Sequence, residues 1–313
     1  MRLTRRILIA GLIVLSSISQ TSIAGAGLAT RDLNPVLQPI YLPTQAPVSA
    51  DNGWRIDHSF FVTNTLQSEN RGNESLIIDV ENYRYELGLS YRKDQWLAQV
   101  NVPLTANNGG ELDGLIDSWH DFFGLPEGDR DEFPKDEFDI EYRLDGIAQF
   151  SEDSDTSGLG DVSIAIGFES QNELRYYIGI ELATGSESDF SGNEAVDFAI
   201  WASREKRIDE EMSLYGLFGI SFPADDGTLE GLIVDEIWVA QLGLEYRFDP
   251  SLVGTVQLDL HSATIEDSDL DAFGESLQIQ LGLGFLRFFE NHRLDLFFSE
   301  DILVGTAPDI SFG

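Results

Sequence analysis

The chain of 313 residues carries 19 basic and 55 acidic side chains, which gives a formal net charge of −36 at pH 7. This balance excludes nucleic acid as a partner and simple electrostatic docking on anionic lipid, because both require a basic surface. The sequence has no cysteine, which excludes disulfide bonds and cysteine-ligated metals. With 42% hydrophobic residues, the chain can still bury a folded core.

Residues 1–26 have the features of an export signal. Arginines among the first six residues form a basic start, residues 7–15 form an apolar run, and Ala24-Gly25-Ala26 matches a cleavage site. We therefore expect a signal peptide that is cleaved after export. The apolar run is too short to cross a bilayer, and no later stretch approaches the roughly 20 apolar residues of a membrane helix.

From Trp54 onward, apolar and polar side chains alternate in short segments, which is the period of a half-buried strand. In 174–182, Leu174 and Ile178 share one face, and Arg175 and Glu181 share the other. Alternation alone does not decide whether the apolar face meets a protein core or lipid. Comparable segments are 54–66, 75–92, 95–104, 161–170, 195–205, 211–222, 235–248, 251–261, 276–285 and 291–304.

The connections between these segments alternate between short turns and long acidic loops. Short inner turns and long outer loops are typical of an outer-membrane barrel. The predicted fold of residues 54–313 is therefore all-β: a transmembrane, antiparallel, up-and-down β-barrel. The short turns lie at 93–94, 171–172, 206–210, 249–250 and 288–290, and the long loops at 67–74, 185–194, 223–234 and 262–273.

Residues 105–160 fit this alternation of short and long connections only if they form one large excursion on the outer side of the barrel. An ordinary spanning strand at 137–150 would place the turn at 171–172 on the outer side and break the alternation. With the excursion, eleven strands run from 54 to 304, and the final "DISFG" can add a short closing strand. The sequence predicts about twelve strands.

Within the excursion, residues 111–123 have the spacing of an amphipathic helix that ends before Gly124 and Pro126. Its polar face is acidic, whereas a helix on a membrane surface carries Lys and Arg. We therefore expect the apolar face to pack on the barrel as a lid, with a loop helix covering a hydrophobic edge as the alternative. That face comprises Leu112, Leu115, Ile116, Trp119, Phe122 and Phe123.

Opposite charges recur on the strand faces that are predicted to point inward, as expected for the lumen of an outer-membrane barrel. Their mixed sign fits either a cross-linked structural interior or a selective passage. The candidate lumen-lining residues are Arg55, Asp57, Arg84, Glu86, Arg175, Glu181, Glu245, Arg247, Asp259, Arg293 and Asp295.

The sequence offers no catalytic constellation. His58 and His261 each have serine directly adjacent, hence on the opposite strand face, and no nucleophile-elbow motif occurs. The acidic stretch from Asp153 opens like a calcium loop but has Ile164 where the bidentate carboxylate is needed. We therefore expect no enzymatic activity, no catalytic residue, no cofactor and no metal site.

Three stretches carry a family resemblance: "RDLNPVLQPIYLP" at 31–43, "GGELDGLIDSWHDFFGLPEGDRDEFP" at 109–134 and "SGLGDVSIAIGF" at 157–168. They resemble a proteobacterial family of predicted outer-membrane barrels known only as a domain of unknown function, and the resemblance covers nearly all of the chain after residue 26. Gly158-Leu159-Gly160-Asp161 is distantly similar to barrels that transport hydrophobic compounds. The resemblance implies location and architecture but no activity.

Residues 27–53 are rich in proline and show no periodicity. By analogy with hydrophobic-compound transporters, whose N-terminal segment enters the lumen, we interpret residues 27–53 as a luminal plug. The alternative is a disordered periplasmic tail.

These features predict a protein of the outer membrane of a Gram-negative bacterium, with porin-like or channel-like passive passage of a small solute, hydrophobic molecules included. The alternatives are a structural or adhesive barrel with a sealed lumen, and a soluble secreted β protein. The expected partners are outer-membrane lipid, lipopolysaccharide at the acidic loops, and the barrel-assembly machinery during biogenesis.

Overall fold

The computed structural model describes residues 27–45, 52–110, 112–114, 134–135, 137–226, 230–288, 292–302, 308 and 310–313. Within these ranges, no helix has the length and apolarity required to cross a bilayer. The strands are β1 Gly53–Arg71, β2 Glu74–Lys93, β3 Trp96–Asn108, β4 Asp139–Leu144, β5 Ile147–Glu152, β6 Thr156–Leu159, β7 Val162–Glu169, β8 Leu174–Leu182, β9 Asp197–Arg207, β10 Met212–Phe222, β11 Ile237–Asp249, β12 Leu252–His261, β13 Ser276–Leu286, β14 Arg293–Asp301 and β15 Ile310–Phe312. Short 3₁₀ turns lie at Pro35–Leu37, Glu187–Asp189 and Asp271–Phe273.

Twelve of these strands form a closed antiparallel barrel. Short β15 closes the wall between β14 and β1, with Phe312 opposite both Phe298 and Val62. Three strands lie outside the count: β4 and β5 form a hairpin that extends from β2, and β6 continues β7 along β3 past Gly160–Asp161. The predicted twelve-stranded barrel is confirmed.

Alternation along each strand separates a luminal face from an outer face. On β8, Tyr177 and Glu181 are buried, while Tyr176 and Ile178 are exposed. Every wall strand exposes at least one large apolar side chain, and a bilayer accounts for such a belt where water does not. One example from each wall strand, from β1 to β15, is Ile56, Leu89, Leu104, Ile166, Ile178, Ile200, Phe218, Leu242, Val256, Leu281, Leu296 and Phe312.

Aromatic pairs lie near the short turns, at what we call the inner end of the barrel. The rings of Trp54 and Tyr91 have centroids 4.6 Å apart, and those of Tyr246 and Phe248 are 5.2 Å apart. Amphipathic aromatic rings favour the boundary between lipid and water. These pairs therefore mark the inner edge of the membrane-facing wall.

An apolar cap covers the opposite, outer end. The β4–β5 hairpin contributes Tyr142, whose ring lies 5.0 Å from that of Phe273 and 5.6 Å from that of Phe150. These rings pack with Leu76 and Ile78 of β2, both fully buried. Full burial of each such side chain contributes about 1.5–3 kcal/mol. The β4–β5 hairpin of the large excursion is thus folded onto the barrel at this end.

The connection at 67–74, predicted as a long loop, is instead a tight turn at Gly72–Asn73. β1 and β2 stay paired from Arg71 and Glu74 downward because the outer half of β2 buries an apolar face in the cap. Gly72 takes a positive φ of 62°, which suits a glycine in such a turn.

Most of the helix predicted over 111–123 lies outside the described residues. Of its apolar face only Leu112 is described, and it is half-buried. The helix and its role as a lid stay predictions.

Candidate functional site

The N-terminal segment, residues 27–45, lies inside the barrel, and nearly all of its residues are buried. It rises from the middle of the lumen at Leu28 to the 3₁₀ turn Pro35–Leu37 in the apolar cap, then descends to Gln45. Both ends of this path meet the same strand, since Gln241 of β11 binds the segment at Thr30 and at Gln45. The segment thus folds back on itself within the lumen.

Two glutamine side chains bind the backbone of the segment. Gln257 accepts from Leu28 N at 3.1 Å and donates to Leu28 O at 3.2 Å. Gln241 donates to Thr30 O at 2.9 Å and accepts from Gln45 N at 2.6 Å. An amide side chain carries both donor and acceptor, so it can replace a β-strand as the partner of extended backbone.

A buried ion pair fixes the rising part of the segment. The Asp32 carboxylate lies 3.2 Å from His261 Nε2 and accepts from Ser276 Oγ at 3.0 Å. Both charged side chains are almost completely buried. Asp32 also accepts from Asn34 N at 2.8 Å, which shapes the entry to the 3₁₀ turn.

The descending part is held through Tyr41. Its backbone N–H donates to Asp197 at 3.2 Å, and its carbonyl accepts from Ser221. Its ring meets that of Trp201 edge-on, with centroids 6.3 Å apart. Burial raises the pKa of the Tyr41 hydroxyl above its ordinary value. We refer to the inner face of β9–β13, which makes these contacts, as the anchoring wall.

Glycines on neighbouring strands leave room for the segment. Tyr177 lies opposite Gly167, and Tyr215 lies opposite Gly243. A Cβ atom at either glycine would come within 2.5 Å of the facing ring. Without it, each ring lies flat across the neighbouring strand instead of projecting into the lumen.

Several predicted luminal charges form ion pairs along one strand. Arg55 and Asp57 pair at 2.6 Å, Arg84 and Glu86 at 2.6 Å, and Arg293 and Asp295 at 2.8 Å. Residues two apart on a strand share a face, which the sequence reveals directly. All the candidate lumen-lining residues lie on inward-facing strand positions, and Arg84, Glu181 and Asp259 among them are fully buried.

Other luminal pairs cross between strands, which sequence spacing does not reveal. Arg175 pairs with Glu169 at 2.8 Å, and Arg92 reaches the same carboxylate at 2.6 Å. Glu245 pairs with Arg293 of β14 at 2.8 Å instead of with Arg247 on its own strand. Glu169 and Arg92 were therefore missed as luminal residues, although they too end their strands on the inward face.

The opposite side of the lumen, the inner face of β1–β3, β7 and β8, is named here the open wall. The segment makes fewer bonds to it: Asn34 donates to Gln67 at 3.4 Å, and the Tyr41 hydroxyl bonds to Ser163. A polar cavity of about 50 Å³ separates the two. Its lining includes Arg31 of the segment and Arg84, Glu86, Asn101, Ser163 and Glu181 of the open wall.

A folded outer loop roofs this cavity. The buried Asp161 carboxylate accepts from the backbone N–H groups of Thr184, Gly185 and Asn193 at 2.8, 2.7 and 3.0 Å. Asn193 in turn donates to Asp197 at 3.2 Å. The "SGLGD" stretch therefore holds the loop at 184–193, and Asp197 links that loop to the segment.

The start of the predicted lid segment contacts the outer face of the barrel wall. Asn64 lies on the outward-facing side of β1, with Ile56 and Phe60, and its buried side chain donates to Asp113 at 3.2 Å. Among the described residues, no group of His, Asp and Glu side chains could hold a metal ion. A larger concavity of about 530 Å³ lies among Leu244, Val256 and Leu281, within the lipid-facing belt.

The sequence does not directly indicate that Arg31, Asp32, His261 and Gln241 are buried in the lumen. The one available signal is that Arg31-Asp32 is the sole charged pair between residues 27 and 50. Charge in a proline-rich, otherwise uncharged stretch calls for a polar partner if that stretch is buried.

The family model described as "Protein of unknown function (DUF3187)" matches residues 5–313. Among solved structures, the chain is similar to the COG4313 outer membrane channel from Pseudomonas putida F1, with 14% identity and a TM-score of 0.55 over 88% of this chain and 95% of that one. It is also similar to the NanC porin, with 9% identity and a TM-score of 0.43 over 81% of this chain and 96% of that one.

The P. putida toluene transporter TodX matches with 11% identity and a TM-score of 0.38 over 86% of this chain and 80% of that chain. No curated protein matches. At these identities the likeness concerns the fold, and the likeness to the COG4313 channel, with a TM-score above 0.5, identifies it as that of an outer-membrane barrel.

Proposed function

The chain belongs to the DUF3187 family of proteins of unknown function, and we propose that it is an outer-membrane channel for a small solute whose lumen is occluded by its own N-terminal segment. The apolar belt supports a place in the bilayer and argues against a soluble secreted protein. In this proposal, export uses the signal at residues 1–26, and cleavage after Ala26 leaves the segment at the start of the mature chain.

The observation that carries the proposal is the way the segment is attached. Residues 27–45 contain no β-strand, and their bonds to the wall go to side chains such as Gln241 and Gln257. The barrel's own backbone pairing is complete without them. The segment can therefore shift without breaking a strand pair, which is the requirement for a gate on a rigid barrel.

The size of the cavity supports occlusion in the resting state. A water molecule requires about 10–15 Å³, so a cavity of about 50 Å³ holds a few waters and no larger solute. Passage of a solute then requires displacement of the segment.

The chemistry of the wall favours a hydrophilic solute over a hydrophobic one. Behind the segment, β11–β13 present Gln241, Gln257, Gln278 and Gln280 to the lumen, all buried. A hydrophobic solute could not replace the bonds that Gln241 and Gln257 make to the segment, whereas a polar solute can. As further parts of this proposal, lipid surrounds the belt, lipopolysaccharide meets the acidic outer loops, and the barrel-assembly machinery inserts the chain.

A sealed structural or adhesive barrel is the second candidate. It is favoured by the apolar cap, in which Val36, Leu37 and Ile40 of the segment pack with the outer loops. A barrel filled from the middle to its outer end has mechanical stability without any passage.

Single-channel conductance separates these candidates. We expect Gln257→Ala to increase the conductance or the open time, because it removes two bonds to Leu28. The matched control is Gln278→Ala, since Gln278 accepts from Ser299 at 3.4 Å and is a neighbouring luminal glutamine that does not bind the segment. Absence of conductance in the wild type and in both folded variants would support the sealed barrel and contradict the channel.

A further inference from the structure

A cationic side chain of the N-terminal segment lies in the polar cavity. The Arg31 guanidinium is buried, and the charges that act on it include Arg84, which repels it, and Glu181, Glu86 and Asp32, which attract it. Arg31 donates to Ile40 O at 2.5 Å and to Gln38 O at 3.2 Å, both in the segment itself. The charge is therefore carried by the gate and not by the wall.

Three buried carboxylates lie at this end of the lumen: Asp161 and Glu181, which line the cavity, and Asp197, which is opposite Glu181 on β9 of the anchoring wall. Asp161 and Asp197 accept backbone N–H bonds from the outer loops. Glu181, which is buried and lines the cavity, differs because its Oε2 has no hydrogen-bond partner in the part of the chain that the structure describes. A buried carboxylate oxygen without a donor is costly, so this position favours a donor or a cation.

Displacement of the segment changes the charge balance at this end of the lumen. Arg31 leaves with the segment because its bonds are internal to it, while Arg84 remains neutralised by Glu86 at 2.6 Å. Three carboxylates then line the outer half of the passage without a guanidinium of their own. A cleft with charge of one sign concentrates solutes of the opposite sign.

Resting on the channel function proposed above, we propose that the passage selects small cations that carry a guanidinium or ammonium group, and that Glu181 binds this group at the place that Arg31 fills when the channel is closed. In the closed state, Arg31 of the segment therefore occupies the position that the charged group of the solute takes during passage. A guanidinium suits the site because it is weakly hydrated and presents several donors to a carboxylate.

Thermal unfolding of the detergent-purified full chain tests the binding site without requiring conduction. Arg31→Ala removes the resident guanidinium, and we expect millimolar methylguanidinium to raise the Tm of this variant, with a rise that increases with the logarithm of its concentration above the Kd. The wild type and Arg31→Ala/Glu181→Gln should show no such rise. The matched control is Arg31→Ala/Glu210→Gln, which removes an exposed carboxylate at the inner turn and should keep the response.

Absence of a methylguanidinium-dependent Tm rise in folded Arg31→Ala, or an equal rise in the Glu181→Gln double variant, would overturn the proposal. A second measurement needs no variant of Arg31. In a KCl gradient, the reversal potential of the open wild-type channel should show preference for K⁺ over Cl⁻, and Glu181→Gln should reduce that preference while Glu210→Gln does not.

The two proposals fail in different ways. No conductance in any variant contradicts the channel, whereas the Tm measurement still reports on cation binding. Conductance without cation preference, or with preference for Cl⁻, contradicts the cation site and leaves the channel standing.

Discussion

The two sides of the lumen make different contacts with the N-terminal segment. The anchoring wall binds it with the amides of Gln241 and Gln257, through Asp197 and Ser221 at Tyr41, and through the buried pair of Asp32 with His261. The open wall carries fixed charges, such as Arg84 and Glu181, and a small cavity separates it from the segment. One wall therefore determines where the segment rests, and the other provides the surface along which a solute can pass.

This asymmetry follows from the chemistry of the side chains. Glutamine and serine bind extended backbone directionally and at short range, so they fix a segment in one position. Paired charges such as Arg84 with Glu86 satisfy each other and do not require the segment. A segment held mainly on one side can shift toward that side, and the passage would open along the other.

The largest expected effect is the loss of the ion pair on the anchoring wall. Asp32→Ala leaves His261 and Ser276 buried without their partner, which should destabilise docking of the segment by about 3 kcal/mol or more. Limited proteolysis of folded barrel should then cut within residues 27–45 at a rate at least tenfold above that of the wild type. Equal cleavage rates would show that this pair does not hold the segment.

A smaller effect is expected above the open wall. Asp161→Asn replaces a carboxylate that accepts three backbone N–H bonds by a neutral amide, and we expect a loss of about 2 kcal/mol in the loop at 184–193. Hydrogen exchange of this loop should accelerate while the barrel strands stay protected. Glu187→Gln, at an exposed position in the same loop, is the control and should leave the exchange unchanged.

Substitution of one buried glutamine on each wall compares the two walls directly. Gln241→Ala on the anchoring wall removes bonds to Thr30 and Gln45 and should weaken docking by about 1 kcal/mol per bond. Gln99→Ala on the open wall, also buried, should leave docking unchanged. Hydrogen exchange in residues 27–45 gives the readout, and equal effects of the two substitutions would remove the distinction between the walls.

The smallest expected effect is a pH dependence at the outer rim. Burial alone would raise the pKa of Glu74, but bonds from Asp269 N, Ser268 and Tyr142 hold it below its ordinary value of 4.5. Glu74 lies on the outer half of β2, which pairs with β4 beyond the barrel wall. Its stabilisation of the loop at 262–273 is thus complete above pH 4.5 and is lost as the pH falls through the lowered pKa.

Hydrogen exchange of that loop, followed from neutral pH to below pH 4, checks the effect after correction for the intrinsic pH dependence of exchange. Glu74→Gln should abolish the transition, because the amide does not titrate in this range. A transition that persists in the variant would assign it to another group.

Much of the barrel could be predicted from the sequence because the face of a strand on which a residue lies depends only on residues close to it in sequence. Residues two apart on a strand share a face, so the luminal pairs Arg55 with Asp57 and Arg84 with Glu86 follow from spacing alone. The alternation of short and long connections also gave the strand count and the outer excursion, since topology forces it in a barrel that runs up and down.

The contacts of the segment could not be predicted in this way. Asp32 and His261 are 229 positions apart, and no period or motif joins them. The partner of Arg175 depends on register between strands, which sets Glu169 opposite it on β7. The extension of β1 and β2 to Arg71 and Glu74 likewise required knowledge of the cap that buries them.

A disulfide lock on the segment tests the central claim most directly. The chain has no cysteine, so Asp32→Cys/Ser276→Cys introduces a single pair where the native side-chain oxygens are 3.0 Å apart. The control Thr63→Cys/Ser311→Cys joins β1 to β15, where the hydroxyl oxygens are 3.1 Å apart. It forms no cross-link to the segment. We expect the locked protein to be silent in planar bilayers until a reductant restores conductance, with the control conducting throughout. Full conductance of the oxidised, cross-linked segment would contradict the claim that its displacement opens the passage.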